Sequence, residues 1–356
     1  MSAAPHPPHL PGSTEARASH GLPGVLAIDA GNSKTDVLLV GTDGTVLGCA
    51  RGGGFRPHEV GPRAAVAALE PLVRAAAAQA GLPPEHDLVA EHISACLANA
   101  DLPVEEERLS RALEGQGWAR SAAVRNDTFG LLRAGTEQPF GVAVVCGAGI
   151  NCAGLLPDGR TVRFPALGRL TGDWGGGEVL AVECMWHAVR AEDGRGAATT
   201  LAPAIAAHFA LPSATRVAEA VHLAELDRAR LHEIIPLMFA AATAGDAVAL
   251  DLVERQVDEI VRLAVVALSR LGLLGTAVPV VLGGGILASK QPLLLGGLAD
   301  RLADRAPLAE PRLVTAHLVL GAALLGLDHL AACGSDGARA AGKRLQSAYP
   351  PPMPFG

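Results

Sequence analysis

The sequence predicts an α/β protein of two similar halves, each a sheet covered by helices. Three observations lead there. Strand-like apolar runs alternate with helical patterns along the chain. The stretch VLAIDAGNSKTDVLLVGTDGTVLG (25–48), a strand, short polar loop, strand, Asp-Gly turn and third strand, returns as VAVVCGAGINCAGLLPDGRTVRF (142–164). The length of 356 residues, 49% of them hydrophobic, suits two packed domains.

Taken in order, the first 22 residues are rich in Pro, His and Ser without an apolar core, so they read as a disordered lead-in and not as a signal peptide. The first hairpin pairs Val25–Ile28 with Val37–Val40 and continues past Asp43-Gly44 into Thr45–Cys49. A helix over Arg63–Ala80 is stopped by Gly81 and Pro83. A strand over Leu88–Leu97 follows, and Asp101 with Pro103 opens a helix to about Glu114. A strand over Ala122–Val124 ends in Asn126-Asp127-Thr128. After the second hairpin set the chain is mostly helical: Glu178–Arg190, then a long amphipathic helix from Asp246 toward Arg270 whose core face carries Val253, Val257, Ile260, Val261, Ala264 and Leu268. A buried strand at Val278–Leu282, a strand at Leu313–Thr315 and a small-residue helix around 321–327 complete the fold. From residue 332 onward the Ala/Gly/Pro-rich chain reads as tail. Residues 271–289 carry no charge over a span of membrane length, but five glycines and Pro279 break them into helix end, strand and turn.

Composition narrows the function. Net charge is −7 with dispersed basic residues, which argues against nucleic acid as a partner. Six cysteines without CxxC or Cys/His spacing argue against zinc, iron–sulfur clusters and a disulfide framework, and suit a reducing cytoplasm. A small-molecule partner is expected, with no membrane association, and a homodimer is compatible with this reading.

Five segments carry the candidate chemistry. The loop after Asp29 matches neither GxxxxGK[ST] nor GxGxxG. It offers Gly31 for close approach, backbone N–H groups of Asn32 and its neighbours, and Ser33, Lys34 and Thr35 as phosphate donors, with Asp29 placed to hold a hydrated Mg²⁺. The loop Gly147-Ala148-Gly149 is a second anion cradle, and Gly283-Gly284 a third glycine turn suited to a base or ribose. Asp127 either caps its helix or accepts a proton from a hydroxyl that attacks phosphorus. In GRLTGDWGGGEVL (168–180), Asp173 offers an acceptor to sugar hydroxyls and Trp174 an apolar face; a structural turn is the alternative.

The ordered set DAGNSKTDVLLV, NDT, CGAGINC, GDWGGG, TAGD and LGGG resembles the BadF/BadG/BcrA/BcrD-type ATPases of the actin/Hsp70/sugar-kinase superfamily, and within them the N-acetylglucosamine kinases, over about residues 25–330. The resemblance implies two RNase H-like domains with mixed sheets flanked by helices and a nucleotide in the cleft between them. Residues 23–120, completed by a helix near 317–331, would form the N-terminal domain and 121–316 the C-terminal one. It implies ATP and Mg²⁺ as cofactors: Asp29 and Gly31–Lys34 at one phosphate site, Gly147, Ala148 and Gly149 at the other, and Gly245, Gly283 and Gly284 near the nucleoside. Asp127 matches the catalytic base. Asn151, Asp173 and the Ala166-Leu167-Gly168 stretch match sugar contacts, and Asn126 belongs with them.

Three departures bear on the acceptor: Arg56 or His58 stands where a sugar-contact Asn is expected, Leu167 replaces an aromatic, and Trp174 follows Asp173 where Glu is usual. An Arg there suits a sugar bearing a carboxylate. The expected activity is therefore transfer of the ATP γ-phosphoryl to an amino sugar, foremost the 6-hydroxyl of N-acetylglucosamine, with glucosamine or N-acetylmuramic acid as other acceptors. A non-catalytic sugar or nucleotide sensor and an iron–sulfur-bearing dehydratase activator are the readings from other classes.

Overall fold

A computed structural model describes residues 22–335, 337–348 and 353–354. The expected lead-in falls almost wholly on residues 1–21, outside the described residues. The first sheet contains β1 (Val25–Ala30), β2 (Thr35–Val40), β3 (Val46–Gly52), β4 (Ala90–Leu97) and β5 (Ala119–Asn126) in the order β3-β2-β1-β4-β5. The second contains β6 (Gly141–Cys146), β7 (Ile150–Leu155), β8 (Thr161–Arg163), β9 (Val278–Gly283) and β10 (Ala309–Leu313) in the equivalent order β8-β7-β6-β9-β10, with a two-residue β11 (Met353–Pro354) added at its edge. In both, the first three strands run antiparallel and the last two join parallel to the first.

The duplication extends to atoms. Asp43 Oδ1 accepts from the Thr45 N–H at 2.9 Å and Asp158 Oδ1 from the Arg160 N–H at 3.0 Å, with Gly44 and Gly159 both left-handed at φ +88° and +87°. An Asp side chain that mimics the turn's own hydrogen bond, followed by a residue free to take positive φ, fixes each hairpin's register. The chain is thus two mixed sheets flanked by helices, the architecture of paired RNase H-like domains.

Several boundaries move. The divide drawn at 120/121 falls inside β5, which belongs to the first sheet, so the sheets part after Asn126. The helix expected over Arg63–Ala80 is two, Pro62–Ala67 and Glu70–Gln79, the second with Pro71 in its first turn, where a missing N–H costs nothing. The strand expected at Leu313–Thr315 lies earlier, at Ala309–Leu313. The region read as tail holds a helix, Ala338–Ser347, whose Ala341 and Leu345 are buried with Leu38 and Val40 beneath the first sheet. Gly44 packs against it so closely that a Cβ there would lie 2.3 Å from the Ala341 carbonyl oxygen.

Two helices tie the halves together. Val319–Ala332 covers β1 and β4 of the first sheet, and Asp127–Ala134 leads from β5 to the second. They cross at Gly130 and Gly321, where a Cβ on Gly321 would sit 1.8 Å from the Gly130 oxygen. Among the described residues no single helix is long and apolar enough to cross a membrane.

Candidate functional site

Parallel pairing of β1, β4 and β5 brings their carboxyl ends side by side, the usual place for a site in such sheets. Asp29 pairs with Cys96, and Leu97 with Asn126, so Asp29, the 98–101 turn and Asn126-Asp127 line one edge. On the other side the same register sets Asp29 opposite Asp36, and Asp36 opposite Arg51. Two acids facing each other across strands repel. Arg51 answers for one of them, donating to both Asp36 oxygens at 2.6 and 2.9 Å. Among the described residues Asp29 has no such partner. Burial, then the charges of Asp127 and Asp36, push its pKa up to about 8 against the pull of Lys34 and Arg51.

That crowding of acids suits a divalent cation, which would favour the ionised form. Among the described residues no three His, Cys, Asp or Glu side chains converge as a metal cage. A hydrated Mg²⁺, held mainly by water and phosphate with one carboxylate nearby, fits this donor set, whereas a dehydrated site does not.

The loop 31–34 is a closed hairpin: the Gly31 N–H donates to the Lys34 carbonyl at 2.8 Å, and the Phe55 N–H to the Gly31 carbonyl at 2.9 Å. Gly54 is pressed against this loop, its absent Cβ 2.0 Å from the Asn32 oxygen. Asn32 is held through its side chain by Asn99 at 2.8 Å, while Ser33 and Lys34 are exposed.

The second loop is built from three glycine clusters. The Gly177 and Glu178 N–H groups donate to the Gly147 and Ala148 carbonyls at 2.8 and 2.9 Å. Gly176, with φ +79°, has no room for a Cβ against Gly149, and Gly284, with φ +97°, has none against Cys146, each 2.5 Å from a backbone atom. Gly147–Gly149 is therefore wedged between two other turns and closed by the Gly147 N–H donating to the Gly149 carbonyl at 2.9 Å, which preorganises its backbone. Gly283 has a packing reason of its own, since its Cβ would meet Leu131 at 2.5 Å. Replacing Gly284 by Ala should raise the KM for nucleotide at least tenfold, because left-handed φ and backbone collision both displace Cys146 at the root of the loop; an unchanged KM would dissociate this turn from nucleotide binding.

Asp127 opens the helix Asp127–Ala134, but the cap is Asn126, whose Oδ1 accepts from the Thr128 N–H at 3.1 Å and hydroxyl at 2.7 Å. The capping alternative for Asp127 is thereby filled by its neighbour. Burial pushes Asp127 up to about 6, against the N–H groups of Thr128 and of Asp127 itself. A carboxyl poised there is mostly ionised at neutral pH yet basic enough to take a proton.

Beside it lies a polar cluster that links the two sheets. Asp101 Oδ1 accepts from the amides of Asn126 at 2.9 Å and Asn151 at 3.1 Å. Arg163 of β8 donates to Glu106 at 2.8 Å and to the Ala100 carbonyl at 3.0 Å. Burial, then Asp127 and Glu105, push Asp101 up to about 8.

The remaining candidates stand further from this cluster in their contacts. Leu167 and Gly168 lie in a loop with left-handed Ala166, Gly168 and Gly172, and Leu167 is exposed. The Asp173 carboxylate accepts from the Thr171 hydroxyl at 2.6 Å within that same loop. Trp174 does not offer a face to ligand: it is buried in the second domain's core with the Arg255 guanidinium 4.0 Å from its ring centre. Arg56 is exposed, pairs with Glu59 at 3.1 Å and leans on the Asn32 carbonyl, and His58 reaches Glu105 at 3.7 Å. Gly245 sits at φ +89° in the turn between helices Ile234–Thr243 and Ala247–Leu271, with open space where a Cβ would be.

Asp101, Asn99, Arg163 and the Asp36–Arg51 pair escaped the sequence reading. Asp101 read as a helix start because Pro103 follows; the start is in fact held by Glu105, which accepts from the N–H groups of Asp101 and Leu102 at 3.0 and 2.9 Å. The usable signal was position: Asn99 and Asp101 follow a strand parallel to β1.

Known proteins resemble this chain over most of its length. It is 26% identical to the N-acetyl-D-glucosamine kinase of Dictyostelium discoideum, covering 85% of this chain and 97% of that one. It is 22% identical to the N-acetylmuramic acid/N-acetylglucosamine kinase of Clostridium acetobutylicum, covering 74% and 85%. A solved structure of a proposed N-acetylglucosamine kinase from Chromobacterium violaceum superposes with a TM-score of 0.68 at 23% identity, covering 86% of this chain and 99% of that one, and so shares the fold. Residues 26–326 match the BadF/BadG/BcrA/BcrD ATPase family, to which this chain belongs.

Proposed function

We propose that the protein transfers the γ-phosphoryl group of ATP to a hydroxyl of an amino sugar, foremost the 6-hydroxyl of N-acetylglucosamine. The observation that carries this reading is Asp127: a carboxyl raised to about 6, relieved of capping by Asn126, and set at the strand edge near Asp101, which holds the amides of Asn126 and Asn151. The names of both curated relatives, one an N-acetylglucosamine kinase and one active also on N-acetylmuramic acid, agree with it.

In this mechanism Asp127 accepts the proton of the sugar hydroxyl as its oxygen attacks the γ-phosphorus. Backbone N–H groups of 32–34 and 148–149 stabilise charge on the phosphates from fixed positions, without reorganisation. Mg²⁺, held through water near Asp29, would supply further neutralisation of that charge when bound. Gly245 and Gly283-Gly284 border the nucleoside, and Asn126, Asn151, Asp173 and Leu167-Gly168 border the sugar. Exclusion of water by domain closure directs the phosphoryl group to the sugar. ADP release with ATP and Mg²⁺ should be seen with N-acetylglucosamine and be near background with glucose; equal turnover across a panel that also includes glucosamine, N-acetylmannosamine and N-acetylmuramic acid would contradict amino-sugar selectivity.

Arg56 favours a second acceptor within the same class. Its partner Glu59 is exposed, and such pairs contribute only about 0–1 kcal/mol, so the guanidinium is available to a ligand carboxylate. Arg56→Asn should lower kcat/KM for N-acetylmuramic acid about tenfold relative to N-acetylglucosamine, a ratio that stays constant if Arg56 plays no part.

A further inference from the structure

Asp101 is the acceptor shared by both candidate sugar-contacting asparagines, which also touch directly, the Asn151 amide donating to the Asn126 oxygen at 3.3 Å. Asn126 ends β5 in the first sheet and Asn151 lies on β7 in the second, yet both amide nitrogens donate to the same Asp101 oxygen. Neither amide can turn over. The Asn126 oxygen is engaged by the Thr128 N–H and hydroxyl, and the Asn151 oxygen by the Cys152 N–H at 2.7 Å. Asp101 is itself fixed, its N–H donating to Glu105 at 3.0 Å and its carbonyl accepting from Arg163 at 3.3 Å.

Two amide N–H₂ groups aimed at one place repel unless an acceptor stands between them. Without Asp101 the Asn126 amide loses its acceptor and the Asn151 amide keeps only the longer contact to the Asn126 oxygen, so both side chains become free to seek other rotamers. We propose that Asp101 is a positioning residue that aligns Asn126 and Asn151 across the domain boundary, so that the acceptor sugar meets a formed pair of amides only when the two domains are together. It acts through those asparagines and not on the phosphates, which are cradled by separate loops. The proposal rests on the amino-sugar reading of the site.

The test combines steady-state kinetics with titration of N-acetylglucosamine into protein saturated with a non-hydrolysable ATP analogue. Asp101→Ala should raise the sugar KM and its dissociation constant at least tenfold while leaving the KM for ATP within twofold. Asp101→Asn, which keeps one acceptor oxygen, should recover most of the loss. In an Asn151→Ala background, Asp101→Ala should add less than about threefold, because contacting partners are non-additive. Full additivity, an unchanged sugar KM, or a parallel rise in the ATP KM would each overturn the positioning role. Wild-type protein that binds the sugar without turnover would refute the kinase reading while the affinities still decide the role of Asp101; wild-type protein that binds no amino sugar refutes both.

Discussion

Asp127→Asn should lower kcat by about 10²–10⁴ while leaving the fold and the KM for ATP unchanged. The substitution keeps the size of the side chain and the Asn126 cap of the helix, and removes the capacity to take a proton together with a charge that holds the Asp29 pKa up. The same group predicts the pH profile. Its pKa is raised to about 6, so the ionised, proton-accepting form prevails above that pH and is lost below it. kcat/KM should therefore fall about tenfold per pH unit below 6, and the limb should vanish from the residual activity of the Asn variant. A wild-type profile flat down to pH 4.5, or a variant within tenfold of wild type, would remove Asp127 from the base role.

Gly321→Ala should be the most damaging single methyl addition away from the site. The new Cβ would be 1.8 Å from the Gly130 oxygen and 2.5 Å from its carbonyl carbon, backbone atoms that no rotamer change can move. The helices Asp127–Ala134 and Val319–Ala332 must then separate. Overpacking of this kind costs about 3 kcal/mol at its upper range, and a shift of several degrees in Tm is expected. Because the displaced helix begins with Asp127, kcat should fall along with stability. Gly296→Ala is the control: it lies in helix Pro292–Arg305, nothing stands within 4 Å of its Cβ, and helix propensity favours Ala by up to about 1 kcal/mol. Similar Tm values for the two variants would show that the Gly130–Gly321 contact does not set the helix separation.

The parts of the fold that local chemistry fixes were legible in the sequence. Asp43-Gly44 and Asp158-Gly159 announced two hairpins of one design, and the Asp246 cap with its long apolar stripe announced the helix Ala247–Leu271. What escaped depends on partners distant in the chain. Asp101 and Arg163 look like ordinary surface charges until the two sheets are placed together, since their partners lie as far as Asn151 and Ala100. Trp174 follows an acid and precedes three glycines, so sequence alone does not say which way it turns; the left-handed Gly172, Gly175 and Gly176 send it into the core. The helix Ala338–Ser347 was hidden by its own smallness, because a buried face of Ala338, Ala341, Gly342 and Leu345 has the composition of a tail and the spacing of a helix.

The most direct test of the central claim is the identity of the phosphorylated product. Protein incubated with ATP, Mg²⁺ and N-acetylglucosamine, and followed by ³¹P NMR, should yield a sugar monophosphate ester at the 6-position in step with ADP. ADP accompanied only by inorganic phosphate, with no ester formed on any amino sugar, would contradict the account.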